Sequence, residues 1–95
     1  MKTRFRGVDY RVIRHRLRRD YGDCDAPSVK RPLIRVSSQA FAQGPLLLDV
    51  LLHEALHACF WDCKEEAIRD AAEDIAVYLT ALGVECDPER VKERI

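Results

Sequence analysis

The sequence predicts an α+β fold, a small antiparallel β-sheet packed with a helical hairpin, and two observations carry that reading. The hydrophobic period changes once, near Gly44-Pro45, from strand-like alternation to a run of good helix formers, and the helical part is interrupted once, at Trp61-Asp62. A chain of 95 residues has room for one core, so residues 1–95 are read as a single domain, with 1–44 its β-rich part and 45–95 its helical part.

Residues 3–6 suit a short edge strand before Gly7. In "DYRVIRHRL" and the arginine after it, Ile13, His15 and Leu17 fall on one face and Val12, Arg14, Arg16 and Arg18 on the other, the pattern of a half-buried strand. "YGDCDAPSVKRP" reads as a turn-rich loop, and "PLIRVSS" as the next strand. Pro45 suits the first turn of a helix, where the N–H it lacks would have no partner, and helix one is expected from Leu46 to about Phe60. Asp62 and Glu65 have the spacing of a capping box, so a second helix is expected from there to Leu82, with Gly83 as its stop. Its apolar stripe is Ile68, Ala71, Ala72, Ile75, Leu79 and Leu82. In "DPERVKERI", Pro88 opens a short third helix.

Composition narrows the function classes. With 47% hydrophobic and 34% charged residues, and no apolar run near the roughly twenty residues of a membrane span, the chain reads as globular and not membrane-spanning. The segment "MKTRFRGVDYRVIRHRLRR" has neither an apolar core nor a cleavage site for export, so a cytoplasmic protein with reduced thiols is expected. Cys24, Cys59, Cys63 and Cys86 include no C-x-x-C pair, which argues against a cysteine metal site. The zero net charge conceals an asymmetry. Residues 1–45 hold eleven lysines and arginines against four aspartates, a net +7, and residues 46–95 carry −7. The two halves are expected to attract each other, and the basic half offers a surface for nucleic acid.

Helix one carries the chemistry. Asp49, His53 and His57 recur at every fourth residue along one line of the cylinder, with Glu54 beside them and apolar residues over most of the rest, so the helix is expected to be buried. Each buried polar group without a partner costs on the order of 1–3 kcal/mol, against a domain stability of about 5–15 kcal/mol. A metal ion removes that cost, because two imidazoles four residues apart can direct nitrogens to one point about 2.0–2.1 Å from each. Glu54 lies too far round to join them but can reach a water beside the ion. "HEALH" is thus an H-E-x-x-H arrangement, the signature of zinc-assisted peptide hydrolysis. The competing reading is a pair of core histidines hydrogen-bonded to backbone or to Asp49.

Residues 50–82 resemble the core of the zincin metallopeptidases, in particular the gluzincins, in which a glutamate on the following helix completes the zinc site. The chain is also similar to small phage-encoded proteins carrying "LLHEALHA" followed by an E-E-x-[VI] helix. The resemblance implies a minimal zincin-like fold, His53 and His57 as zinc ligands and Glu54 as general base. For the third ligand, "EEAIRD" is similar to the N-E-x-x-x-D pattern of thermolysin-like enzymes, which implies Glu66, with Asp70 supporting a histidine. Helical geometry favours Glu65, which borders the Ile68/Ile75/Leu79 stripe and lines up with Ala72 and Ala76, whereas Glu66 lies nearly opposite that stripe. Glu65 is therefore the preferred ligand and Glu66 the alternative.

Larger gluzincins have a second subdomain that supplies an oxyanion-stabilising Tyr, His or Arg, and nothing in this sequence corresponds to it. His15, Tyr10, Tyr21, Tyr78 or an arginine are the candidates for that role. The resulting expectation is a zinc-dependent metallopeptidase, in the host cytoplasm if phage-encoded, acting on a peptide or protein substrate that adds to an edge strand such as "PLIRVSS". The alternative is a catalytically weak or inactive zincin-like domain with a structural metal, acting as a protein- or nucleic-acid-binding module.

Overall fold

The computed structural model describes residues 1–16 and 19–95; Leu17 and Arg18, assigned above to opposite strand faces, lie outside the described residues. Strands β1 (Lys2–Phe5) and β2 (Val8–His15) form a hairpin. Its turn residues Arg6 and Gly7 both have positive φ, 48° and 82°, the primed geometry that follows the twist of paired strands. Arg6 is held in this unfavourable region by its own side chain. Its guanidinium donates to the carbonyl of Cys59 at 3.0 Å and lies over the Phe60 ring, covering the end of helix α1 (Gly44–Cys59).

The α+β class stands, with a sheet that is mixed and not purely antiparallel. Strand order is β1-β2-β4-β3, where β3 is Gly22–Cys24 and β4 is Leu33–Ser37, and β2 pairs with β4 in parallel from Arg11↔Leu33 to His15↔Ser37. Parallel neighbours need a long crossover. Residues 16–32 supply it and form β3 on the way, antiparallel to β4. "PLIRVSS" therefore runs inside the sheet, and the edge beside the helices is β3, inside the segment whose residues predict a turn-rich loop. Gly22, Asp23 and Cys24 are poor strand formers. Pairing holds them: the Ser37 and Asp25 N–H groups donate to the carbonyls of Tyr21 and Leu33 at 2.8 and 2.9 Å, and Arg35 Nη1 donates to both Asp23 and Asp25 at 2.9 Å. Burial works against the Asp25 carboxylate, but Arg35 and the Leu33 N–H outweigh it and hold its pKa below the ordinary value.

The buried face of β2 is Tyr10 and Val12, with Val8 half-buried, whereas Ile13 is half-buried on the opposite face and His15 is exposed. The strand is half-buried as expected, and the buried face is the one that carries Val12. The core lies where Tyr10 and Val12 meet Ile34, Val36, Phe41 and Leu47, and Arg14 on that same face reaches past it to the Phe41 ring and the Ile95 carbonyl.

Helix α1 crosses this face with Leu47, Val50, Glu54 and Ala58 buried, and begins with Pro45 in its first turn. Helix α2 (Glu65–Ala81) returns along α1 through buried Ile68 and Ala72. The expected capping box is not formed: Lys64 is the N-cap and no side chain caps the helix, Glu65 being engaged elsewhere. Gly83 closes α2 at φ 89°, but Leu82, the end of the expected stripe, is exposed. Helix α3 (Pro88–Lys92) starts at Asp87, whose carboxylate accepts from the Glu89 N–H.

The two charged halves do not meet through ion pairs among the described residues. Among the described residues, pairs between lysine or arginine and a carboxylate stay within one half, as in Arg4–Asp9, Arg35–Asp23 and Lys92–Glu89. Arg6 and Arg14 cross between the halves to carbonyls and aromatic rings instead. No helix among the described residues is long and apolar enough to cross a membrane.

Candidate metal centre

A cleft of about 650 Å³ runs along the exposed side of α1. One wall is Asp20 to Cys24, the floor includes Asp49, Val50, His53, Glu54 and His57, and the other wall is Glu65, Arg69 and Glu73, successive turns of α2. Trp61, in the loop between the helices, closes one end with its ring edge-on to His57.

Within it His53 Nε2, His57 Nε2 and the Glu65 carboxylate converge. Glu65 Oε1 lies 2.8 Å from His53 Nε2, its Oε2 lies 2.7 Å from His57 Nε2, and the two nitrogens are 3.1 Å apart. The three residues can each offer a ligand atom, all within 4.8 Å of one another, to a metal ion. Ligands about 2.0–2.1 Å from a tetrahedral ion stand about 3.3 Å apart, so this is a slightly contracted ligand triangle. The donor chemistry fits as well. If both imidazoles carried a proton on Nε2 to bind Glu65, the two N–H groups would crowd each other; a cation accepts both nitrogen lone pairs and the carboxylate together.

The carboxylate that meets the histidines is Glu65. Ile68 and Ala72 are buried against α1, and Glu65, seven residues before Ala72, falls within about 20° of it around the helix. Glu66 and Asp70 are exposed and outside the cleft lining. Asp49 lines the cleft one turn before His53 without a hydrogen bond to either histidine among the described residues.

Glu54 faces the same cleft and is 5% exposed. Burial, and then the charges of Asp23, Glu65 and Asp20, push its pKa up to about 8. Its carboxylate sits against β3: a Cβ on Gly22 would come within 2.9 Å of Val50 Cγ1 and 3.0 Å of Glu54 Oε2. A Gly22→Ala substitution is expected to destabilise the protein by about 1–3 kcal/mol, lowering Tm by roughly 5–15 °C. A Tm within about 2 °C of wild type would show that β3 retreats freely and does not set the cleft wall.

The proposed oxyanion donors separate by position. His15 is exposed and outside the cleft, its Nδ1 near the Arg16 carbonyl; Tyr10 is buried and donates to the Asp25 carbonyl; Tyr78 is exposed on α2. Tyr21 and Arg69 line the cleft. The spacing of Arg69 and Glu73 from Glu65 was available in the sequence, since each follows by one helical turn. The wall at Asp20 to Cys24 was not, because it depends on β3. Cys24 lines the cleft, but burial and then the Glu54 charge push its thiol up to about 12, which removes it as a nucleophile.

No protein-family model matches the chain, and comparison with curated proteins and with solved structures gives no significant match.

Proposed function

We propose that the protein is a zinc-dependent peptidase of minimal zincin-like architecture, in which His53, His57 and Glu65 hold the ion and Glu54 is the general base. The carrying observation is the convergence of three ligand groups in an open cleft with a buried carboxylate beside them. Zinc, when bound, supplies a Lewis acid for a carbonyl oxygen and lowers the pKa of water. Glu54 accepts the proton of the attacking water on its carboxylate and returns it to the amide nitrogen as the C–N bond breaks. Tyr21 and Arg69 line the same cleft and can donate to the developing oxyanion.

Strand β3 orients the substrate. Tyr21 and Asp25 use their backbone groups on β4, so alternation turns the N–H and C=O of Gly22 and Cys24 to the free edge, where an extended peptide can add. A purely structural metal would favour a fourth protein ligand, and the open cleft at the triad supports the hydrolytic reading over that alternative.

The test is zinc content, stability and hydrolysis on one untagged preparation. Close to one zinc per chain is expected, with a rise in Tm on the order of 10–20 °C when free zinc stands at about a hundred times its dissociation constant. Hydrolysis of a mixed peptide pool should stop on chelation and return with zinc. A protein that binds no zinc when it is supplied, or binds it without cleaving any peptide, would overturn the assignment as a peptidase.

A further inference from the structure

The cleft has a charge that the chain as a whole lacks. Beside Glu54 its lining holds five carboxylates, Asp20, Asp23, Asp49, Glu65 and Glu73, against one cation among the described residues, Arg69. Asp23 is bound to Arg35 and Glu65 to the histidines, while Asp49 and Glu73 have no ion-pair partner among the described residues. These two also line a second groove of about 670 Å³ with Pro45, Ala76 and Thr80, so the metal cleft continues past them along the seam between α1 and α2.

Glu54 supplies an independent sign that a ligand enters here. It is 5% exposed, faces the cleft, and has no hydrogen-bond or ion-pair partner among the described residues. A zinc ion at the triad would offset the carboxylates that act on Glu54, namely Asp23, Glu65 and Asp20, and would leave Asp49 and Glu73, farther along the same cleft, for a cationic group of the substrate. The position of the unpaired carboxylates sets where the charge should lie. Asp49 is one turn from His53, about 6 Å along the helix axis, and an extended peptide advances about 3.3 Å per residue. A side chain one or two residues from the bond at the triad therefore reaches the gap between Asp49 and Glu73, with Leu46 available to its methylenes. The other end, at Trp61, is aromatic, so the cleft distinguishes the two directions of a bound chain.

We propose that the substrate is a peptide carrying lysine or arginine one or two residues from the cleaved bond, its charged head seated between Asp49 and Glu73. This rests on the peptidase reading above, and the experiment separates the two. Trp61 is the chain's only tryptophan and lies in the cleft, so its fluorescence reports binding. The probes are capped, tryptophan-free hexapeptide pools, randomised except for one position that holds lysine, norleucine or glutamate and is moved along the peptide. They are titrated against zinc-loaded Glu54→Gln protein, which binds without turnover.

With the fixed residue at one position, the lysine pool is expected to bind about tenfold or more tightly than the norleucine pool, and the glutamate pool least tightly. The gap should fall below about twofold in the Asp49→Asn/Glu73→Gln protein and narrow at about 0.5 M salt. Zinc content equal to the parent's shows that this double variant keeps its fold. Equal affinity for lysine and norleucine at every position, no binding of any pool at about 1 mM, or a gap that survives the double substitution would overturn the proposal. The same pools are then given to zinc-loaded wild type. Hydrolysis indifferent to lysine would overturn the cation pocket and leave the peptidase; lysine-selective binding without hydrolysis would do the reverse.

Discussion

Zinc affinity is expected to fall by about two orders of magnitude or more in Glu65→Gln and to stay within about twofold of wild type in Glu66→Gln. Adjacent residues of one type make this a sharp comparison, because charge and helix position near the α2 N-terminus change almost identically. Glu65 reaches both histidine nitrogens, at 2.7 and 2.8 Å, whereas Glu66 is exposed and outside the cleft lining. Either substitution also removes a negative charge from the first turn of α2, so the metal-free melting temperatures serve as the control. Competition with a chromophoric chelator measures the affinities. Equal losses in the two variants, or the larger loss in Glu66→Gln, would mean that α2 is rotated from the position described and that the triad is wrongly assigned.

The second large effect is at Glu54. Glu54→Gln is expected to retain zinc and to lower peptide hydrolysis by about 10²- to 10⁴-fold, the usual contribution of a positioned general base. The same substitution should stabilise the metal-free protein, with a definite pH dependence. The Glu54 pKa is raised from 4.5 to about 8 in the folded state. Between those values the unfolded chain releases its proton while the folded protein keeps it, so wild-type stability falls as pH rises through the window. Below about pH 4.5 both states are protonated and the variant gains nothing on this account. Above about pH 8 the folded wild type carries the buried charge, and the metal-free variant should be more stable by about 1–3 kcal/mol, or roughly 5–15 °C in Tm. Thermal melts with chelator at low and high pH give the result directly. A difference that does not change with pH would show that Glu54 is solvated in the metal-free protein.

Strand and helix positions differed in how far they could be read from residues alone. Helix α1 was legible because Pro45 and the leucine-rich run after it are local signals, and α3 because Asp87-Pro88 is a cap followed by a first turn. Strand β2 was legible as a strand but not in its orientation. Alternation in "DYRVIRHRL" makes two faces of comparable apolarity, and burial of Tyr10 and Val12 follows from where β1, β4 and α1 lie. Strand β3 carried no local signal, since Gly22-Asp23-Cys24 extends only because β4 binds it and Arg35 holds Asp23. Without β3 the parallel pairing of β2 with β4 and the wall over Glu54 were equally hidden.

The pairing of His53 with His57 and the place of Glu54 beside them follow from local spacing, because residues four apart on one helix are neighbours whatever the rest of the chain does. The tertiary structure alone decided the cleft that makes this pair a candidate reaction site. Its far wall comes from a strand formed by pairing and not by propensity, and its unpaired carboxylates face one another only once α2 lies along α1. The third ligand falls between the two: the stripe on α2 favoured Glu65, but the burial of Ile68 and Ala72 against α1 is what turns that carboxylate, and not Glu66, toward the histidines.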